Sequence, residues 1–238
     1  MWPGSAPAET WDFPIASAGG LEPSIAVMSA GDDGIVVTVD IVTEDGVILN
    51  AREISIDSNA PALIPLSDLA AAPFGVRVRA TAPVAASVLA VVPAEDTEGG
   101  EGGEAPPEET TSTTTADAST TTAATEESFV RGLAGTIGSS HPSSEWILPL
   151  DTLPGSETTV WIMNSGTEPA RAQVGPIGDV DYEDFVSVEV PAESILGIPV
   201  DVGIGIYGYT VNADRPVSVA WAIAGNRGVA LASGVHSG

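Results

Sequence analysis

The chain has 238 residues, enough for one or two domains, and 43% of them are hydrophobic, enough to build buried cores. Its 33 acidic residues face 7 basic ones, all arginine, for a net charge of −26. That balance excludes nucleic acid and disfavours an anionic membrane surface, because both need a cationic face; the absence of cysteine excludes disulfides and thiolate metal sites.

The N-terminus, Met1-Trp2-Pro3-Gly4-Ser5, has no basic region followed by an apolar run, so no signal peptide is expected there. Trp11-x-x-Pro14 opens the first strand. Gly31-Asp32-Asp33-Gly34 marks a turn, after which Ile35, Val37, Val39 and Ile41 alternate with Thr38 and Asp40, the period of a half-buried strand. Glu44-Asp45-Gly46 and Asn59-Ala60-Pro61 are further turns. Val76 and Val78 then alternate with Arg77 and Arg79, and Pro83-Val84 opens the last strand of the segment. No window carries a helical stripe, and no run reaches about 18 apolar residues, so no membrane insertion is expected.

Residues 95–127 differ in kind. They hold ten acidic residues, ten threonines and no basic, aromatic or large aliphatic residue. With nothing to bury, such a segment does not offset its conformational entropy, and a disordered linker is predicted. Its roles remain open between a passive spacer and an O-glycosylated or cation-binding stalk.

Beyond it the first segment recurs. Trp11 and Pro14 match Trp146 and Pro149 at an offset of 135, as do Met28 and Gly31 with Met163 and Gly166. Ile64-Pro65-Leu66 matches Ile198-Pro199-Val200 at 134, and Gly75 and Pro83-Val84 match Gly208 and Pro216-Val217 at 133. Short strands between frequent turns, repeated once, predict an all-β protein of two tandem immunoglobulin-like β-sandwich domains joined by a disordered linker. The expected boundaries are 1–94, 95–127 and 128–238. Both domains are acidic and the linker has no apolar anchor, so the domains are expected to tumble and unfold independently, as a monomer, and to separate once the linker is cut. Strand exchange between the copies is the competing arrangement.

The repeat has a rhythm: a strand ending in Asn/Ser-x-Gly, an alternating strand, a hairpin, Val188-x-Val190-Pro191-Ala192, Ile-Pro-Val/Leu, Gly-x-x-Val and a closing Pro-Val, with Trp-x-x-Pro at its start. It resembles an uncharacterised family of exported actinobacterial proteins, a domain of unknown function built of such repeats. The resemblance covers about 160 residues. It implies placement outside the cell or in the cell envelope and supplies no catalytic residues.

Gly203-Ile204-Gly205-Ile206-Tyr207-Gly208 fits the dinucleotide fingerprint, which requires a following helix and an acid about 20 residues on. A strand-like Tyr209-Thr210-Val211-Asn212 follows instead, so these glycines read as a loop entering a strand. There is no Gly-x-Ser-x-Gly elbow. Two histidines, His141 and His236, exclude a histidine-built zinc site. Asp179, Asp181, Glu183 and Asp184 are candidate hard-cation ligands, without the spacing of a twelve-residue calcium loop. Trp161 and Tyr182 are candidate ligand-binding aromatics in the second repeat, which is the richer in such residues. No catalytic residue and no cofactor is predicted. The expected function is that of a non-catalytic secreted or cell-envelope scaffold, adhesion or spacer module. A carbohydrate-binding accessory module is the alternative, and the expected partners are cell-wall glycan or another envelope protein. Adaptation to high salt explains the missing lysine equally well.

Overall fold

A computed structural model describes residues 6–17, 22–29, 31, 33–58, 60–91, 133–149, 157–178, 185–200, 206–225 and 228–236. The described residues form strands and no helix. The first domain contains β1 (Ala8–Ser17), β2 (Glu22–Ser29), β3 (Ile35–Thr43), β4 (Gly46–Ile56), β5 (Pro61–Pro65), β6 (Phe74–Val91) and β7 (Leu133–Ile137). The second contains β8 (Ser143–Pro149), β9 (Glu157–Asn164), β10 (Ala170–Gly178), β11 (Val186–Val190), β12 (Ser194–Val200), β13 (Ile206–Gly225), β14 (Gly228–Ser233) and β15 (Val235–His236).

One long strand shared between two layers organises each domain. The first half of β6 pairs with β3 and β1; its second half pairs with β2 and β7. In the second domain β13 pairs first with β10 and β8, then with β9 and β14. The change of layer falls at Pro83 and Pro216. Proline donates no ladder hydrogen bond, and it sits where each long strand is handed from one set of partners to the other. The result is a β-sandwich with a front layer β4-β3-β6-β1 and a back layer β5-β2-β6-β7. The second copy has front β11-β10-β13-β8 and back β12-β9-β13-β14.

Alternation fills the space between the layers. Val37, Val39, Ile41, Val76 and Val78 from the front meet Ile25, Val27, Ile64, Val84 and Val88 from the back in one buried cluster. Val174, Val211, Val160, Ile162, Val217 and Val219 do the same in the second domain. The recurring tryptophan clips the opening strand to the bend. The Trp11 Nε1–H donates to the Val84 carbonyl at 2.9 Å, and the Trp146 Nε1–H donates to that of Val217 at 2.9 Å. Gly75 and Gly208 sit where the opening strand crosses closest. An added Cβ would lie 2.8 Å from the Phe13 carbonyl oxygen at Gly75 and 2.5 Å from that of Leu148 at Gly208. Gly208, the last glycine of the fingerprint-like run, thus serves strand packing.

Residues 133–137, expected in the second repeat, complete the first domain instead. β7 pairs with β6 from Ser87↔Ile137 to Val91↔Leu133, as β14 pairs with β13 from Ala220↔Ser233 to Ala224↔Val229. Each closing strand is followed by a glycine and a bridge back to the opening strand: Gly138 with Asp12↔Ser139, and Gly234 with Val235↔Ile147. The acidic segment therefore lies between two neighbouring strands of the first domain, and the boundary between domains falls near His141. Residues 95–127 themselves lie outside the described residues.

The expected independence of the two domains is overturned. Ile15, Val42 and Ala90 of the first lie in one buried cluster with Trp161, Met163, Ile195, Ala220, Ala222 and Leu231 of the second. The outer side of the first domain's front layer packs on the outer side of the second domain's back layer, and β7 adds a further contact to β14, where the Thr136 and Ser233 hydroxyls lie 2.9 Å apart. A register shift in β1 between Phe13 and Ser17 delivers Ile15 to this face, while Phe13 and Ala16 stay in the first core. Apolar contact, non-directional and proportional to area, outweighs the like net charge of two bodies whose facing surfaces carry few of their acids.

Candidate functional site

Two buried carboxylates mark the face on which the domains meet. Asp12 follows Trp11 on β1 and points away from the core that Trp11 and Phe13 fill. It is 2% exposed. The Ser165 hydroxyl donates to its Oδ2 at 2.6 Å, the Ser218 hydroxyl to the same oxygen at 3.4 Å, and Arg77 Nε to its Oδ1 at 3.3 Å. Arg77 also donates from Nη2 to the Ser165 carbonyl at 3.0 Å. Two residues of the first domain and two of the second thus close one polar knot inside the junction. Burial pushes the Asp12 carboxyl above the ordinary carboxylate range, against the pull of Ser165, Arg77 and Ser218.

Asp40 stands across Arg77 on β3, opposite the same strand position. Arg79 grips it with two bonds, Nε to Oδ2 and Nη2 to Oδ1, both 2.8 Å. The Asn50 backbone N–H adds a third at 2.8 Å, and Arg79 Nη2 also reaches Asn50 Oδ1 at 2.9 Å. Asn50 adopts φ 53°, a left-handed conformation that asparagine tolerates better than most residues. Burial opposes ionisation of Asp40, but the Arg79 and Asn50 hydrogen bonds and the two guanidinium charges hold its carboxyl below the ordinary range.

On the front layer of the second domain a groove of about 580 Å³ runs over β11, β10 and β13. Arg171, Gln173, Glu189, Asn212 and Asp214 line it. Arg171 Nε lies 3.4 Å from Glu189 Oε2, and the Arg171 backbone N–H donates to Asp214 Oδ1 at 2.8 Å. The groove presents donors and acceptors on an exposed sheet face.

The residues singled out from sequence fare differently. Trp161 does not offer an open ring face. It is 7% exposed, lies against Gly197, where an added Cβ would sit 2.7 Å from the indole, and belongs to the cluster between the domains. It stands on the outer side of the back layer, and the first domain covers that side. Its Nε1–H has no hydrogen-bond partner among the described residues. Tyr182, Asp179, Asp181, Glu183 and Asp184 lie outside the described residues. Among the described residues no three histidine, aspartate or glutamate side chains gather as a metal site. His141 is exposed in the loop between the domains, with Nδ1 2.9 Å from the Ser140 hydroxyl.

Sequence reading passed over Asp12, Arg77, Ser165 and Ser218. One signal was present: an acid between two aromatic core residues, where the second copy carries Ile147.

No family model and no curated protein matches the chain. Among solved structures, the crystal structure of Thermotoga maritima 1070 is similar at 14% identity and a TM-score of 0.38, over 56% of this chain and 94% of that one. A likeness of that size carries no functional argument.

Proposed function

We propose that the chain is a non-catalytic scaffold or adhesion module of the cell envelope or the secreted fraction, built of two immunoglobulin-like domains that carry an acidic, threonine-rich segment. One observation supports this most: the segment begins and ends on adjacent, paired strands, Val91 opposite Leu133. Paired strands lie about 5 Å apart. A segment with both ends at one point of a docked pair does not set a distance between two bodies, which argues for display over spacing. The buried charges of the junction serve cohesion, since Asp12 and Asp40 are each consumed by arginine, hydroxyl or backbone partners. Immunoblotting of fractionated cells tests the placement, with the protein expected in the envelope or the medium. Recovery in the cytosol alone would contradict it. Labelling of intact cells with an antibody against residues 95–127 tests the display.

The groove favours a second reading, a glycan-binding module centred on the second domain. Its Arg171, Gln173 and Asn212 side chains offer hydrogen bonds of the kind sugar hydroxyls take. A glycan array probed with the full chain tests this. Signal lost in Arg171→Ala and Asn212→Ala supports it, and a blank array rejects it.

A further inference from the structure

Pairing registers set the outward side chains of the second domain's front layer in rows. One row runs from Gly175 to Thr210, Ile147 and Val235. The next runs from Ser187 to Gln173, Asn212 and Glu145. Beyond it Glu189 stands opposite Arg171. The face is thus apolar along one row and polar, then charged, along the others. A Cβ added to Gly175 would lie 2.1 Å from the Phe185 ring, so that ring occupies the space over the glycine. Phe185 is half-buried, and Ile147 and Val235 are 43% and 60% exposed. Gly175 follows Gln173 by two residues on the same side of β10, so the ring borders the groove where Gln173 and Asn212 line it.

The first domain has no such face. Asp40 stands where Gly175 does and Arg79 where Asn212 does, and the two are bound to each other.

The shape and chemistry of the groove select a ligand class. Beneath it β10 is paired on one side with β11 and on the other with β13, which is itself paired with β8. Those two strands offer a peptide no free edge to join, so recognition falls to side chains. They supply an aromatic ring beside two amides and the Ser187 hydroxyl. A pyranose carries C–H groups on its ring face and hydroxyls around its rim. Aromatic surface takes the first, and amides and hydroxyls take the second. Charge selects further. Arg171 is offset by Glu189 at 3.4 Å, and Asp214 accepts its backbone N–H, so the lining has no cationic excess in a chain of net charge −26. A uronate or a sulfate would be repelled there.

We propose that the groove and Phe185 together bind an uncharged glycan chain, with one sugar ring stacked on Phe185 and the hydroxyls of its neighbour held by Gln173 and Asn212. The inference rests on the glycan-binding reading of the groove and adds to it the ligand class and the aromatic contact.

A glycan array probed with the full chain tests it, carrying neutral cello-, manno- and N-acetylchito-oligosaccharides beside oligogalacturonates and sulfated glycans. Neutral chains should bind and anionic ones should not. Titration calorimetry with the strongest neutral binder should then show affinity about tenfold weaker in Phe185→Leu, which keeps apolar cover on Gly175 but removes the ring. Phe185→Tyr keeps the ring and should keep the affinity. Gln173→Ala, at an exposed position, should also weaken binding and carries the test if Phe185→Leu does not fold. Binding confined to anionic glycans, or affinity unchanged in folded Phe185→Leu or in Gln173→Ala, would overturn the proposal and leave the broader reading standing. A blank array would remove both.

Discussion

Arg79 and Asp40 are bound to each other but do not stand equally. Asp40 is wholly buried, while the Arg79 side chain is 44% exposed. Loss of Asp40 leaves a guanidinium that water solvates. Loss of Arg79 leaves a buried carboxylate held by the Asn50 N–H alone. Arg79→Ala should therefore cost about 3 kcal/mol and Asp40→Asn about 1–2 kcal/mol, measured by urea denaturation. Equal losses would mean that Asp40 has other access to water. The two buried acids also pull stability in opposite directions with pH. The Asp12 carboxyl is raised, so the folded chain holds that proton more tightly than the unfolded one. Its unfavourable contribution is full above the folded pKa and is relieved as pH falls through that pKa toward the ordinary carboxylate value. The Asp40 carboxyl is lowered. Its contribution is full above the ordinary carboxylate pKa and is lost as pH falls through the folded value. Relative to Asp12→Asn, the wild type should gain as pH is lowered from about 7 to about 4, and relative to Asp40→Asn its advantage should shrink at the acid end. The exposed acids titrate alike in all three proteins and cancel. Asp12 was the hardest of these residues to read, because a lone acid between aromatics has the pattern of any outward strand residue. Only the second domain's presence on that side makes it buried.

At the scale of the element, the strands and their faces were legible and the partner of β7 was not. Alternation in Ile35–Ile41 and Val76–Arg79 gives both the strand and the buried side, since period two leaves no other solution. β7 offers little of this. Its Leu133-Ala134-Gly135-Thr136-Ile137 matches Val229-Ala230-Leu231-Ala232-Ser233 mainly by smallness, and it begins about 40 residues after β6 ends. The equivalent β13 and β14 are paired through Gly225↔Gly228, with two residues between. Replacing residues 92–132 by Asn-Gly should therefore yield a folded protein, because that dipeptide makes a tight hairpin. The shorter closure should raise stability by about 2–3 kcal/mol, since each doubling of loop length costs about 0.6 kcal/mol. A replacement protein that is unfolded, or that exposes the β6 edge and aggregates, would contradict the pairing of β6 with β7.

At the scale of the molecule, duplication was plain in the sequence and docking was not. Trp-x-x-Pro, Ile-Pro and Pro-Val recur in register because each serves its own domain: an indole clip, a back-layer strand, a bend. Docking needs only that outward positions be apolar on one copy's face, and Trp161 and Ala220 read as scattered substitutions, and Met163 as a plain repeat of Met28, until Ile15 and Val42 are found against them. Net charge misled in the same way, since it sums over a surface of which the junction is a small part. The two domains form one body through this shared cluster, and β7 belongs to the first. A site-specific protease sequence placed between Thr113 and Thr114 tests both at once. After cleavage, one fragment carries β1 to β6, and the other carries β7 with the whole second domain. Size-exclusion chromatography and native mass spectrometry of the cut protein should find the two fragments together as one complex of intact mass, separating only in denaturant. Two fragments that elute apart in native buffer would contradict it.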